Sequence, residues 1–327
     1  MIVKMFKTFT TMSICNKKYI SNLLIDISSN NFDKPLIKPW SGLIFVFLFV
    51  GLILIICFGF LGTYLNKKNN EKIINVLIFS FGLTFLGFEI AHEILRFIKL
   101  GYYDFSSFPF QFCSVPMYLC LVLPFIKKEH LRMPGVYFLG IYGFIGGIFP
   151  LLFGQSQLCR WSSFFDVFHS FAWHILLLMN SLLLINFYGI GINKKESIKL
   201  FLKSYLLFIS ITVIAQILNV ILHYSGGINY PIYSNPDGSV TNFKTTINTP
   251  LYDPDIASLF YISPFFRSNM IIFETIWVKA GWIINYLLYL VGFYIIGSIL
   301  LILTILIKQI YCKIIYSQKI RNTDENF

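Results

Sequence analysis

Seven long apolar runs, separated by short polar or basic segments, are the feature of this sequence that most restricts its fold. A helix needs roughly 20 apolar residues to cross a ~30 Å hydrocarbon core. Helices also satisfy their own backbone hydrogen bonds, which a lipid environment demands of any spanning segment. The runs cover residues 42–65, 73–98, 108–126, 134–153, 164–187, 199–225 and 281–308. The fourth run carries Gly140, Gly143, Gly146 and Gly147, and small residues at this spacing predict close helix packing in lipid.

The composition agrees with this interpretation. Of the 327 residues, 56% are hydrophobic and 13% are charged, about half the charged fraction of a soluble domain. We therefore predict an all-α, polytopic membrane bundle of about seven transmembrane helices. One embedded domain would cover residues 42–310, between an N-terminal tail at 1–41 and a basic C-terminal tail at 311–327. The six cysteines show no CxxC spacing, so neither a disulfide framework nor a structural zinc site is expected.

The basic residues fall on two sides in a serpentine arrangement of these spans. Among the short loops, one side has only Lys99 and Arg160, and positive charge favours the cytoplasmic side of short loops. The opposite side is therefore expected to be cytoplasmic, in a multi-pass protein of the cell membrane, although the N-terminal tail is itself basic. The net charge of +11 is assigned to these membrane-flanking segments and not to nucleic-acid binding. The cytoplasmic group comprises Lys67, Lys68, Lys72, Lys127, Lys128, Arg132, Lys194, Lys195, Lys199, Lys308, Lys313, Lys319 and Arg321.

A long segment before the last span, residues 226–280, is rich both in turn residues and in aromatic residues. Disordered linkers lack aromatic residues, and a loop of this length in a compact protein is usually functional. We predict an extramembrane structured loop, with a short hairpin or extended pair around residues 228–247 and then an amphipathic stretch at the membrane interface.

Polar side chains inside the spans are the candidate functional residues, because burying them in lipid is costly. Four of them, Glu89, His92, Glu93 and Arg96, follow the spacing of one helical face. In the serpentine topology the polar groups of five spans lie at similar depths below one surface. We expect them to form one polar pocket, which includes Cys113 and His174 together with Glu89, His92, Gln111, Asn219, His223 and Asn285.

Two chemistries fit this set of residues. A histidine could activate the Cys113 thiol as a nucleophile, or histidine and glutamate side chains could hold Zn²⁺. The second is disfavoured because His169 and His174 lie about 140° apart around a helix, so no metal and no cofactor are predicted. Structural interpretations also exist: Glu89, Glu93 and Arg96 as an ion pair, and Cys113 as an inert small hydrophobe.

Three short motifs resemble a known family. Phe108-Pro-Phe-Gln-Phe-Cys113-Ser resembles the Leu-Pro-Leu-His-Leu-Cys segment of bacterial YwaF-type membrane proteins, and residues 166–174 resemble that family's histidine-bearing fifth span. Asn219-x₃-His223, followed by Gly227-x-Asn229-Tyr230, is similar to its Gly-x-Asn-Tyr signature. The resemblance runs from about residue 75 to residue 305.

The YwaF-type family is related to the eukaryotic transmembrane protein 164 acyltransferases, which act on phospholipids through a cysteine. This resemblance implies that Cys113 accepts an acyl group and that His174 is its general base, with a membrane phospholipid as substrate. Gln111 departs from the bacterial pattern, which has histidine there, and glutamine cannot take up a proton.

The sequence thus favours a lipid acyltransferase, with Gln111 and Asn219 as oxyanion donors and Glu89 or His92 orienting the base. A non-enzymatic binder or transporter of a small amphiphile is the alternative that uses the same pocket. A seven-span metal hydrolase is the third hypothesis.

Overall fold

The computed structural model describes residues 37–100, 112–159, 164–224, 233–234, 240–241 and 278–324. A 3₁₀ turn, Leu123–Phe125, extends the helix Val115–Val122, and a π-helical segment, Phe138–Tyr142, joins the helices Glu129–Tyr137 and Gly143–Phe153 into one continuous helix. The helices are α1 Gly42–Lys67, α2 Glu71–Leu100, α3 Val115–Val122, α4 Glu129–Tyr137, α5 Gly143–Phe153, α6 Gln155–Leu158, α7 Phe164–Phe187, α8 Lys194–Tyr224 and α9 Val278–Asp324.

Six helical stretches are long and apolar enough to cross a membrane, among the residues that the structure describes. They lie in α1, α2, the continuous α4–α5 helix, α7, α8 and α9. The third predicted span appears as the shorter apolar helix Val115–Phe125, about 17 Å long at 1.5 Å per residue. The start of that span, residues 108–111, lies outside the described residues. The all-α, polytopic fold class is confirmed, with six long apolar helices and one shorter one in the part of the chain that the structure describes.

The last helix extends well past its predicted end. α9 runs from Val278 to Asp324. The apolar run predicted a membrane span at residues 281–308 and a separate basic tail from residue 311. The sequence after residue 308 contains no glycine or proline to end a helix, so the helix continues beyond the apolar stretch.

Two very short strands lie in the segment predicted to contain a hairpin. β1, Tyr233–Ser234, pairs antiparallel with β2, Val240–Thr241, and Tyr233 lies opposite Thr241. The extended pair is therefore confirmed at these four residues. The rest of the predicted loop and its amphipathic stretch lie outside the described residues.

Glycines allow the helices around α7 to approach it closely. A Cβ atom at Gly147 would lie 2.9 Å from the carbonyl oxygen of His174, and one at Gly143 would lie 2.8 Å from Oγ of Ser181. On α1, Gly62 packs directly against the Leu183 carbonyl. In lipid, such small residues let helices gain van der Waals contact. As a result α7 is surrounded by other helices, while α1 exposes large apolar side chains such as Phe60.

Aromatic rings fill the space between the π-helical segment, α8 and α9. The ring centroids of Tyr142 and Phe208 are 5.3 Å apart with nearly parallel planes, and those of Phe208 and Phe293 are 5.2 Å apart. Tyr142 and Phe208 are fully buried. This cluster attaches α8 and α9 to the central helices.

The bundle has two chemically different ends. At the basic end, α1 and α7 finish and α2, α4 and α8 begin, and a hydrogen bond joins Asn66 to the backbone of Phe187. At the opposite end, which we call the site end, α7 begins and α2 reaches its last turns. There His92 lies near Asp166. The basic residues that the sequence groups on one side, from Lys67 to Lys308, lie at or beyond the basic end. Their predicted cytoplasmic orientation stays a prediction.

Candidate functional site

Cys113 lies in a turn at the site end, directly before α3. Residues Phe112–Ser114 form the turn, and α3 begins at Val115 with proline in its first turn. The predicted third span, residues 108–126, places Cys113 inside a helix. In the structure Cys113 instead precedes the helix, and its side chain is half-buried.

The backbone of this turn leaves the carbonyl of Cys113 available for an outside donor. Pro116 has no N–H to donate to it, and the N–H of Met117 donates to the carbonyl of Ser114 at 3.0 Å. The indole Nε1–H of Trp173 donates to the Cys113 carbonyl at 2.8 Å. α7 therefore holds the cysteine turn directly.

His174, which follows Trp173 on α7, makes an equivalent hydrogen bond to α5. Nδ1 of His174 lies 2.9 Å from the carbonyl oxygen of Gly146. In an α-helix this carbonyl would accept from the N–H four residues on, but that residue is Pro150, which has none. The carbonyl is thus available to His174.

This bond sets the tautomer of the imidazole. A carbonyl oxygen can only accept, so Nδ1 of His174 carries the hydrogen and donates it. In the neutral ring Nε2 then carries the lone pair, which is the form that a general base requires. His174 is buried, at 7% exposure. Phe112, the neighbour of Cys113, also packs at Gly146, because a Cβ there would lie 3.1 Å from its ring. The cysteine turn, Gly146 and the Trp173–His174 pair therefore meet at one place.

Further polar side chains line the antiparallel contact between α2 and α7. The rings of Phe85 and Trp173 are 4.7 Å apart, and those of His92 and His169 stack at 4.9 Å with planes 3° apart. Nε2 of His92 lies 3.7 Å from Oδ1 of Asp166.

Glu89 lies on the same face of α2, about one turn before His92 along the helix. Its side chain is buried at 8% exposure. The carboxyl also lies close enough to act electrostatically on the Cys113 thiol. Glu89 thus connects the polar α2–α7 contact with the cysteine turn.

The structure therefore brings four of the predicted pocket residues to one end of the bundle, namely Cys113, His174, Glu89 and His92. Gln111 lies outside the described residues. The helical positions of Asn219, His223 and Asn285 are described, but their side chains are not, so their predicted roles stay predictions.

Sequence reasoning missed the residues that hold the site together. It interpreted Gly146 as a packing residue only, and it gave Trp173 no role. A signal for Gly146 was present, because a proline four residues after a helical residue always leaves that carbonyl without its usual donor. No comparable local signal links Trp173 to Cys113, which are 60 residues apart.

The family model of the TMEM164 family matches residues 36–264 of the chain, from just before α1 into the segment that precedes α9. The chain belongs to the TMEM164 family. No curated protein and no solved structure matches it significantly. The matched region contains Cys113, His174 and the polar α2–α7 contact. Membership of the TMEM164 family confirms the relationship predicted from the motifs, and the resemblance to YwaF-type proteins is consistent with it.

Proposed function

We propose that this TMEM164-family membrane protein is a phospholipid acyltransferase or transacylase, with Cys113 as the acyl carrier and His174 as the general base. The observation that carries the proposal is the pair of bonds from consecutive residues of α7. Trp173 holds the backbone of Cys113, and His174 bonds Gly146 in the tautomer that leaves Nε2 able to accept a proton.

In the first half-reaction Nε2 of His174 takes the thiol proton of Cys113, and the sulfur attacks an ester carbonyl of the donor phospholipid. The tetrahedral intermediate collapses to a thioester on Cys113. The departing lysophospholipid oxygen takes the proton back from Nε2.

The second half-reaction is the reverse with a different alcohol. The hydroxyl of an acceptor lysolipid gives its proton to Nε2 of His174 and attacks the thioester carbonyl. The new ester leaves, and the sulfur of Cys113 regains a proton. Gln111 and Asn219 are the proposed donors to the oxyanion in both steps.

The depth of the cysteine suits this substrate class. Phospholipid ester groups lie at the boundary between the hydrocarbon core and the head groups. Cys113 lies in the turn that precedes α3 at the site end, so its sulfur need not reach the middle of the bilayer. A membrane phospholipid is therefore the proposed substrate, and the cell membrane the proposed location.

The test is acyl transfer by purified protein in liposomes that contain a labelled phospholipid and a lysolipid. Cys113→Ala should abolish transfer, because no other group takes its place as acyl carrier. Cys57→Ala is the matched control, since Cys57 lies exposed on α1 and should retain wild-type turnover. Unchanged turnover by Cys113→Ala rules the mechanism out.

A second candidate function, a non-enzymatic binder or transporter of a small amphiphile, is favoured by the buried carboxyl of Glu89 near the cysteine turn. This function predicts the opposite effect of the Cys113→Ala substitution. Cys113→Ala would keep binding, whereas substitution of Glu89 or Asn219 would abolish it.

A further inference from the structure

A group of acidic and imidazole side chains lies between α2 and α7 at the site end. On α2, Glu89, His92 and Glu93 have the spacing i, i+3, i+4 and share one face. On α7, Asp166 and His169 are three residues apart in its first two turns.

This group is distinct from the general base of the proposed reaction. Asp166 precedes His174 by eight residues, about 12 Å along the helix axis at 1.5 Å per residue. The function proposed above gives Glu93 and Asp166 no role.

The α2 residues of this group are close enough to share a ligand. One side-chain donor atom each of Glu89, His92 and Glu93 lies within 4.8 Å of the other two. Nδ1 of His92 and Oε1 of Glu93 are 4.0 Å apart. Metal–ligand bonds of about 2.0–2.2 Å place neighbouring ligand atoms roughly 3–3.5 Å apart, so a small carboxylate rotation closes the set around one ion.

The other nitrogen of His92 faces a carboxylate of the neighbouring helix. Nε2 lies 3.7 Å from Oδ1 of Asp166. Histidines that bind metal commonly donate their second ring N–H to a carboxylate, which fixes the tautomer and the ring orientation. The parallel ring of His169, 4.9 Å away, restricts the same imidazole from its face.

A divalent cation also suits the charge of this group. Glu89, Glu93 and Asp166 are three carboxyl groups within or near the end of membrane spans, where charge is costly. A divalent ion bound among carboxylates offsets their mutual repulsion.

We propose that Glu89, His92 and Glu93 bind a divalent first-row transition-metal ion, with His92 coordinating through Nδ1 and Asp166 orienting its ring from Nε2. A mixed set of carboxylate and imidazole donors suits ions such as Zn²⁺, Fe²⁺ or Mn²⁺. The sequence argument against a metal concerned His169 and His174 as joint ligands, and neither is a ligand in this site.

The test uses the full-length protein in detergent, loaded with Zn²⁺, freed of excess ion by gel filtration and assayed for zinc content. Wild-type protein should retain one zinc ion per chain. Glu93→Gln and His92→Ala should lose it. Asp166→Asn should weaken zinc affinity by about 10- to 100-fold, the usual effect of removing a partner of a ligating histidine.

A matched control comes from an adjacent glutamate and histidine at the basic end. Glu129 and His130 are exposed on α4, so Glu129→Gln and His130→Ala should leave the zinc content unchanged. Glu93→Gln keeps the side-chain volume and therefore serves as the test variant even where His92→Ala fails to fold.

Two results overturn the proposal: no stoichiometric zinc on the wild-type protein, or equal zinc on wild type and on Glu93→Gln. Either result leaves this group as a structural polar contact between α2 and α7. Zinc content is measured without an acyl substrate. Its outcome is therefore independent of whether Cys113→Ala changes acyl transfer.

Discussion

The two ends of the bundle use polar side chains in opposite ways. At the basic end, Asn186 of α7 donates to the Gly59 carbonyl at 3.1 Å and accepts from the ammonium of Lys308 at 2.5 Å. Asn66 donates to the Phe187 carbonyl at 2.5 Å. Each of these contacts is a hydrogen bond between different helices.

At the site end, several close contacts join titratable groups without hydrogen-bond geometry. His92 lies 3.7 Å from Asp166 and 4.0 Å from Glu93. Nε2 of His169 is buried with no hydrogen-bond partner among the described residues. Hydrogen bonds between helices stabilise a membrane bundle, whereas neighbouring titratable groups can bind an ion or move a proton. The difference assigns stability to the basic end and chemistry to the site end.

The largest expected effect that tests this comparison is a loss of stability at the basic end. Asn186→Ala removes the acceptor of Lys308 and the donor to Gly59, and should lower the free energy of unfolding by about 1–2 kcal/mol, since hydrogen bonds between membrane helices are individually modest. Thermal unfolding in detergent measures this loss. Folded Asn186→Ala protein should keep its acyl-transfer rate.

The control for this variant is Ser80→Ala. The hydroxyl of Ser80 is exposed and donates to the Val76 carbonyl of its own helix, so its loss should leave the melting temperature unchanged. An Asn186→Ala protein of normal stability but with lost acyl transfer would reverse the assignment of the two ends.

A smaller effect is expected from Pro150→Ala at the site end. The new N–H competes with His174 for the Gly146 carbonyl, so the imidazole is held less firmly. A hydrogen bond worth about 0.5–1.5 kcal/mol corresponds to a 2- to 10-fold slower acyl transfer.

Stability distinguishes this effect from general damage. Replacing an interior proline by alanine should maintain or raise the melting temperature in detergent. An acyl-transfer rate equal to that of wild type would show that the bond between His174 and Gly146 does not position the base.

More of the fold than of the site could be predicted from the sequence, for a physical reason. Apolar runs report directly on membrane helices, so the class and the six long apolar helices follow from composition along the chain. The glycine stripe of the fourth span also predicted close packing, and Gly143 and Gly147 do lie against α7. Helix ends were harder, because local backbone bonding decides them: Cys113 lies before its helix and α9 continues to Asp324.

The site depends on pairings between residues far apart in the sequence. Helical spacing correctly grouped Glu89, His92 and Glu93 on one face of α2. It could not show that His92 stacks on His169, 77 positions further along the chain, because that contact depends on the vertical offset of two antiparallel helices. Burial energy fixes this offset, and periodicity within one helix carries no information about it.

The central claim is that the sulfur of Cys113 carries an acyl group with His174 as its base. The most direct measurement is mass spectrometry of the peptide that contains Cys113, after the protein is incubated with a phospholipid bearing a tagged acyl chain. We predict a hydroxylamine-sensitive acyl adduct on Cys113 in wild-type protein, formed far more slowly by a folded His174→Ala variant. An active wild-type protein without that adduct, or with equal adduct formation in both proteins, would contradict the account.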